Sequence, residues 1–319
     1  MGIDLAAFEF LLRAQKETGD FGSTLVLGRQ RMLVRTEWEK MMFTKALAKY
    51  RPDLSMDDIA HSFVDRMIEQ LGGTPCHFMD NSAYEGAQVI HDLNETLPES
   101  LHASYDTVIE IGVLEHIFNI GVAMRSVAQM VRPGGRFLSL NIADNHLGHG
   151  FWQLSPEAYF RTFSRENGFT PVISDLHYKG EFHPLRDPEA AGRRLPLKTP
   201  GYTYIAFGAR KTEQREVFPD GWPVQADYTA AWLVFLARNA DRGGDSAGAE
   251  KILHDAVSKY PANPIYYVEL SRMMRKRGEF GQAEAFCIKA LDMAADFEAA
   301  VVEHRIVLEG MSGTASCEG

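Results

Sequence analysis

Cysteine is scarce in this chain of 319 residues: there are three, Cys76, Cys287 and Cys317, an odd and widely spaced set with no CxxC pair. That scarcity argues against a disulfide framework and against a cysteine-type structural zinc site, and it makes a reducing cytoplasm the expected home. No apolar run reaches the roughly 18 residues that a spanning helix needs. The N-terminus lacks a basic-then-apolar leader pattern, so no membrane insertion is expected. An excess of positive charge is also missing: the formal charge is −10, which repels a phosphate backbone and argues against sequence-independent nucleic-acid binding. Glycine is thin in the first candidate ligand loop. Gly28-Arg29-Gln30-Arg31 has one glycine and no GxGxxG, the pattern that lets a pyrophosphate approach a helix N-terminus, and this ranks a nicotinamide dehydrogenase last.

What the chain does have is an ordinary apolar content of 45%, enough for one large domain or two smaller ones with cores. The stretch from Ala103 to Phe160 organises the rest. Tyr105 to Ile111 is a short apolar strand, Val122 to Val131 carries apolar residues at helical spacing, and Arg132-Pro133-Gly134-Gly135 stops the helix and turns the chain. Phe137 to Ile142 is a second buried strand. Together they predict a βαβ unit with parallel pairing, whose ligands would sit beyond the carboxyl ends of the strands. Those ends are Glu110 to His116 and Asn141 to His149, both crowded with polar groups.

In chain order, residues 3–17 form an amphipathic helix ended by Gly19, and Ser23 to Gly28 is a first strand. Residues 36–72 form two helical segments, the second capped by Ser55 and ended by Gly72-Gly73. Pro75 to Asp80 and Ala87 to Leu93 are further strands. Ser155-Pro156-Glu157 opens a helix, with serine as cap and proline at the first helical position. Phe169 to Leu176 and Tyr202 to Ala209 pair antiparallel around a polar excursion, Lys179 to Pro200, which is either a substrate-contacting lid or a solvated loop.

Residues 1–212 are therefore one α/β domain, 213–227 a linker with turn chemistry, and 228–310 an all-α region with internal repetition. An offset of 34 residues aligns Ala237 with Ser271, Gly244 with Gly278, Ala249 with Ala283, Leu253 with Cys287 and Ala256 with Ala290. Small residues where helices approach, at this period, resemble the tetratricopeptide repeat. A helix from Phe297 to Leu308 and a disordered tail, 311–319, close the chain.

VRPGGRFLSL, with YDTVIEIGVLEHIFN before it, resembles the fourth-strand region of a class I S-adenosylmethionine-dependent methyltransferase. The combination of LGRQ, AYEGAQVIHDLN, VLEHIFN and HGFWQLSPE is similar to a bacterial group of such proteins associated with surface-polysaccharide biosynthesis. The resemblance implies a Rossmann-like methyltransferase sheet with helices on both faces, followed by the small tetratricopeptide-like domain. It implies S-adenosylmethionine as cofactor and a sugar, glycan or related small molecule as acceptor of the methyl group at a hydroxyl or amine.

On that reading, Asp80 is the ribose candidate, or else a turn-forming aspartate. Asp92 suits the adenine edge with Leu93 as apolar cover, or else forms an Asx turn. Gly28, Arg29 and Gln30 form the degenerate donor loop, where side chains replace the backbone contacts of missing glycines, and Glu110 joins the donor side. His149, between two glycines, is favoured as the base for the acceptor, ahead of His146 and His116; each also has a plain structural reading. Glu115, Asn145, Trp152 and Arg193 are the substrate-side candidates. Metal binding is not expected, because His91, Asp92, His116 and His149 show no short helical spacing. The alternative function is a non-catalytic scaffold acting through residues 228–310, the region that would dock a protein partner in either case.

Overall fold

The computed structural model describes residues 2–315 apart from Ala60, Arg193, Pro196 and Asp220; the side chains of Tyr84 and of residues 313–315 also lie outside the description. The chain divides into two compact units, Met1–Leu185 with Lys198–Pro223, and Arg186–Leu197 with Val224–Gly319.

The first unit is a mixed α/β structure around one eight-stranded sheet. Its strands are β1 (Thr24–Leu27), β2 (Cys76–Asp80), β3 (Val89–Ile90), β4 (Tyr105–Ile111), β5 (Val131–Asp144), β6 (Phe169–Tyr178), β7 (Glu181–Pro184) and β8 (Thr203–Lys211). They lie in the order β3-β2-β1-β4-β5-β8-β6-β7. The first five pair in parallel, and β8 runs antiparallel to both of its neighbours. The 3-2-1-4-5 order is that of the doubly wound Rossmann sheet, in which strand order reverses between β1 and β4 and opens a crevice at their carboxyl ends.

Helices cover both faces. On one side α1 (Leu5–Thr18), α2 (Glu37–Tyr50) and α3 (Asp65–Gln70) bring Phe8, Phe43 and Met67 onto Val26, Ile109 and Leu138. The helix α1 starts at Asp4, whose carboxylate accepts from Ala7 N, and ends at Gly19 with φ 85°. On the other side lie α4 (Ile120–Met130) and α5 (Pro156–Thr162), the latter capped by Ser155 with Pro156 at its start. Strand alternation sends Phe137 and Phe207 to this second face. There Phe137 stacks on Phe163 at 4.2 Å, and Phe207 meets Tyr159 and Phe160 at 5.2 and 5.3 Å.

Several expectations are refined. The second segment of residues 36–72 is not one helix but a single turn, Met56–Ile59, and then α3. Between them Phe63 forms a bridge with Arg31 and takes both Arg29 and Arg31 on its ring, at 4.4 and 4.8 Å, contacts that a continuous helix would bury elsewhere. The excursion after β6, Lys179 to Pro200, begins as a hairpin into β7, turned by Lys179 and Gly180, both at positive φ, the geometry of a two-residue hairpin loop. Within the expected linker, 213–227, Val217 and Phe218 are buried, Phe218 N donates to Asn167 Oδ1, and the Arg125 guanidinium lies 4.3 Å over Trp222. The helix α4 does stop before Arg132. Its terminal carbonyls, Ala128 and Val131, receive the buried ammonium of Lys211 at 3.2 and 2.8 Å.

The second unit contains α6 (Ala226–Arg242), α7 (Ser246–Lys259), α8 (Pro264–Lys276), α9 (Phe280–Met293) and α10 (Glu298–Ala315). Its last helix thus runs past Leu308 into the stretch expected to be disordered, and Arg186–Leu197, expected with the α/β domain, clusters here. The ends of α6 and α8, and of α7 and α9, are each 34 residues apart. Gly244 and Gly278 both take positive φ, and the aligned pairs Ala237 with Ser271, Ala249 with Ala283, Leu253 with Cys287 and Ala256 with Ala290 are buried throughout. Two buried carboxylates hold the helices across this unit: Glu269 takes Arg238 and Arg272, and Glu303 takes Arg272 and Arg275.

Removing the ring at the centre of the aromatic layer should be costly. Phe207→Ala is expected to destabilise the first unit by about 3–5 kcal/mol, read as a lower urea midpoint of the full chain. A loss below about 1 kcal/mol would contradict the packing described.

Candidate active site

Two chain segments beyond the sheet's carboxyl edge make the site. After β4, Gly112 at φ 65° turns the chain into a single 3-10 turn, Leu114–His116. After β5, Asn145 at φ 63° and Gly148 at φ 82° bring residues 146–150 back over that turn. The two are joined through one carbonyl. Phe151 N and Trp152 N both donate to Glu115 O, at 2.9 and 3.2 Å, and a Cβ at position 150 would lie 2.8 Å from the same oxygen. Gly150 therefore permits the approach that sets His149 beside Glu115.

Beneath them is a buried polar network. Glu110, Glu115, Ser139, Asn141 and Tyr159 are each at most 1% exposed. Asn141 Nδ2 donates to Glu110 Oε1 and to Glu115 Oε2, both at 2.8 Å. Val113 N and Leu114 N add to Glu110 Oε1 at 2.7 and 3.2 Å. Glu110 Oε2 takes the Ser139 hydroxyl, and Tyr159 OH lies 2.9 Å behind it. Burial and then the neighbouring Glu115 push the Glu110 carboxyl up to about 7, against the pull of these hydrogen bonds. Burial raises Glu115 as well. Burial and proximity thus both work against the two carboxyls being ionised together.

A cavity of about 560 Å³ opens above the network, lined by Ile111, Gly112, Glu115, Leu140–Ile142, residues 146–149, Tyr202, Tyr204 and the N-terminal segment. Glu115 Oε1 faces Nε2 of His116 at 3.6 Å and Nε2 of His149 at 3.7 Å. Among the described residues, Glu115, His116 and His149 form the one group of metal-ligand type side chains whose ligand atoms all lie within 4.8 Å of one another. Desolvation, then the neighbouring His149, holds the His116 imidazole below its ordinary range, and His146 is lowered by the same two causes. His146 packs on Tyr202 and Tyr204 at 4.9 and 5.1 Å, and its Nε2 is buried without a hydrogen-bond partner. Beside the cavity, Phe118, Phe151 and Trp152 form an exposed aromatic edge, with Trp152 Nε1 donating to Ile117 O.

The substrate-side and donor-side candidates separate in space. Asn145 is committed to structure: its amide donates to Gly201 O at 2.9 Å and to Thr199 Oγ1 at 3.2 Å. Arg193 lies outside the described residues. Gly28, at φ 64°, donates its amide to Met79 O. Asp80 ends β2 and accepts from Ser82 N at 3.3 Å. Asp92 accepts from Asn94 N and Nδ2, both at 2.9 Å, which holds its carboxyl low, and Leu93 is buried beside it. Gly28, Asp80 and Asp92 are not among the residues lining the cavity.

Arg29 is engaged rather than free. Its guanidinium pairs with Asp65 at 2.7 Å, donates to Glu85 O at 3.0 Å and lies between Phe63 and Phe78. Gln30 is buried, with Nε2 on Leu27 O and Oε1 unpartnered. Glu110 is enclosed by the network and does not reach the crevice. Ser139 and Asn141 were not among the sequence candidates; their only signal was two polar residues alternating within a strand otherwise apolar. Tyr159, read from the sequence as cleft wall or core, is buried on α5.

No protein-family model matches the chain, and no curated protein matches it. Solved structures do match, and methyltransferases recur among them. The 1,6-didemethyltoxoflavin-N1-methyltransferase of Burkholderia thailandensis, solved with 1,6-didemethyltoxoflavin and S-adenosylhomocysteine, is 15% identical with a TM-score of 0.37, over 66% of this chain and 78% of that one. A geranyl diphosphate methyltransferase in complex with S-adenosylmethionine is 14% identical with a TM-score of 0.37, over 65% and 85%. A branched-chain polyamine synthase mutein from Thermus thermophilus, bound to N4-aminopropylspermidine and 5'-methylthioadenosine, is 14% identical with a TM-score of 0.32, over 67% and 57%. At these values the likenesses assign neither substrate nor reaction. The strand order itself describes the first unit as a Rossmann-like mixed α/β sheet with flanking helices.

The Glu110 carboxyl yields a pH prediction. Its affinity for a proton is higher in the folded chain than the ordinary 4.5, so its stabilising contribution is full below about pH 4.5 and is lost as pH rises through about 7. Glu110→Gln reproduces the protonated form, with its amide directed at Ser139. The variant should lose less stability than the parent between pH 5 and pH 8, by on the order of 2–3 kcal/mol, read by thermal melts at both pH values. Equal losses in the two proteins would refute the assignment.

Proposed function

We propose that the first unit transfers a methyl group from S-adenosylmethionine to a hydroxyl or amine of a sugar, glycan or related small acceptor in the cytoplasm. The observation that carries this reading is the cavity at the carboxyl edge of a 3-2-1-4-5 sheet, with imidazoles and a buried carboxylate on its wall beside the switch point. Asp80, at the end of β2, is suited to the ribose hydroxyls. Asp92, with Leu93, is suited to the adenine edge, and Gly28 is the position where the donor's backbone approach would fall.

The transfer is an in-line displacement. A lone pair of the acceptor oxygen or nitrogen bonds to the methyl carbon, the carbon–sulfur bond breaks, and S-adenosylhomocysteine leaves with that electron pair. The acceptor's proton goes to His149, with His146 and His116 adjacent. Positioning supplies most of the acceleration, and the base contributes typically 10²–10⁴-fold. Phe118, Phe151 and Trp152 present aromatic area next to His116, which suits the apolar face of a sugar ring. The helical unit, on this reading, is a pair of tetratricopeptide-like repeats and a trailing helix that dock a partner protein, in a protein of the surface-polysaccharide-associated group.

One observation favours the scaffold reading instead. Arg29 and Arg31 both reach Glu85, tying the loop after β1 to the loop after β2 on the donor side. Titration calorimetry with S-adenosylmethionine separates the two. Binding at micromolar to submillimolar donor is expected, weakened at least tenfold in Asp80→Ala. His149→Ala should keep donor binding and lose 10²–10⁴-fold in transfer. No binding at millimolar donor would leave the scaffold.

A further inference from the structure

Three side chains converge at the cavity, Glu115 and His149 on its wall and His116 next to them, without hydrogen bonding to one another. The carboxylate of Glu115 is 1% exposed; Oε2 is held by Asn141 Nδ2 at 2.8 Å, and Oε1 points to His116 Nε2 at 3.6 Å and His149 Nε2 at 3.7 Å. Those separations are too long for hydrogen bonds. They suit ligands of a common ion: with two sides of 3.6 and 3.7 Å and a third of at most 4.8 Å, a point equidistant from the three donors lies no more than about 2.4 Å from each, close to the ~2.0–2.2 Å of zinc–nitrogen and zinc–carboxylate bonds.

We propose that Glu115, His116 and His149 bind one divalent first-row transition ion, with zinc the best match, and leave its remaining positions open to the cavity. The donor set of two imidazoles and one carboxylate is that of open catalytic zinc sites and of facial-triad metal sites. The surroundings are those that fix ligands in place. Asn141 orients the carboxylate from behind, as an outer-shell partner does, and the shared Glu115 carbonyl joins the segments carrying the two histidines. Their side chains are 38% and 49% exposed, so an ion has a path from solvent. The unpartnered Nε2 of His146 belongs to a ring 6.0 Å from that of His149, a further imidazole at the rim. His91 and Asp92, the other metal candidates in the sequence, are not in the cluster. The expectation of no metal rested on spacing along a helix, whereas these ligands come from a 3-10 turn and a separate loop.

Ion binding requires neither donor nor acceptor, and it bears on the proposed transfer at one point: His149 serves as the base only in the metal-free chain.

The test uses the full chain stripped with a chelator and titrated with Zn²⁺ in competition with a chromophoric indicator. One ion per chain at micromolar affinity or tighter is expected, reduced at least tenfold in His116→Ala and in His149→Ala and lost in the double variant. His254→Ala should leave it unchanged. Both site histidines are partly exposed, so thermal melts should show the variants folded; Glu115→Gln is a secondary variant because that side chain is buried. Absence of saturable binding below about 100 µM, or binding intact in the folded double variant, overturns the proposal. Titration of the chelated protein with S-adenosylmethionine reports the methyl-donor reading separately.

Discussion

Two buried carboxylates share a single amide, and much of the first unit is arranged around that arrangement. A buried charge without partners is costly, yet Glu110 and Glu115 both lie in the interior. The parallel register between β4 and β5 sets Glu110 opposite Ser139, which donates to it, and Asn141, two residues on, then reaches both Glu110 and Glu115. Tyr159 closes the chain of partners from α5. Sheet register, the turn after β4 and the placement of α5 are thus coupled through one network. Relaxing any of them would leave a carboxylate or an amide unsatisfied, a penalty of about 1–3 kcal/mol or more for each group.

Above that network Glu115 directs Oε1 at two imidazoles beside the cavity. The side chains proposed for the methyl donor are mostly engaged with protein: Arg29 with Asp65, Phe63 and Phe78, Asp92 with Asn94, and Glu110 with the interior.

The βαβ core was legible because its signals are local: periodic apolar residues, a Pro-Gly-Gly break and a Ser-Pro helix start all lie within a few residues of the feature they specify. The antiparallel pair β6 and β8 was legible for the same reason. The hairpin into β7 was missed although Lys179-Gly180 is a recognisable two-residue turn, because the four residues after it alternate too briefly to read as a strand. The break before α3 depends on Phe63 meeting Arg29 and Arg31, more than thirty residues earlier in the chain, which no local pattern encodes. The Glu110–Asn141–Glu115 group and the approach of His149 to Glu115 depend on strand register and on a backbone carbonyl, neither of which is written in residue identity. Glycines on each side of His149 were the visible trace, and at Gly150 the reason is contact with Glu115 rather than freedom to swing.

The shared carbonyl of Glu115 sets limits on how the chain can diversify. Because it takes amides from Phe151 and Trp152, the length of the segment from Asp144 to Gly150 is fixed at both ends: by the end of β5 and by this carbonyl. A residue inserted or deleted there would displace both histidines at once. The turn at 81–86 is held instead at Glu85, whose carbonyl takes Arg29 and whose carboxylate takes Arg31. Variation around His149 is thus confined to substitution.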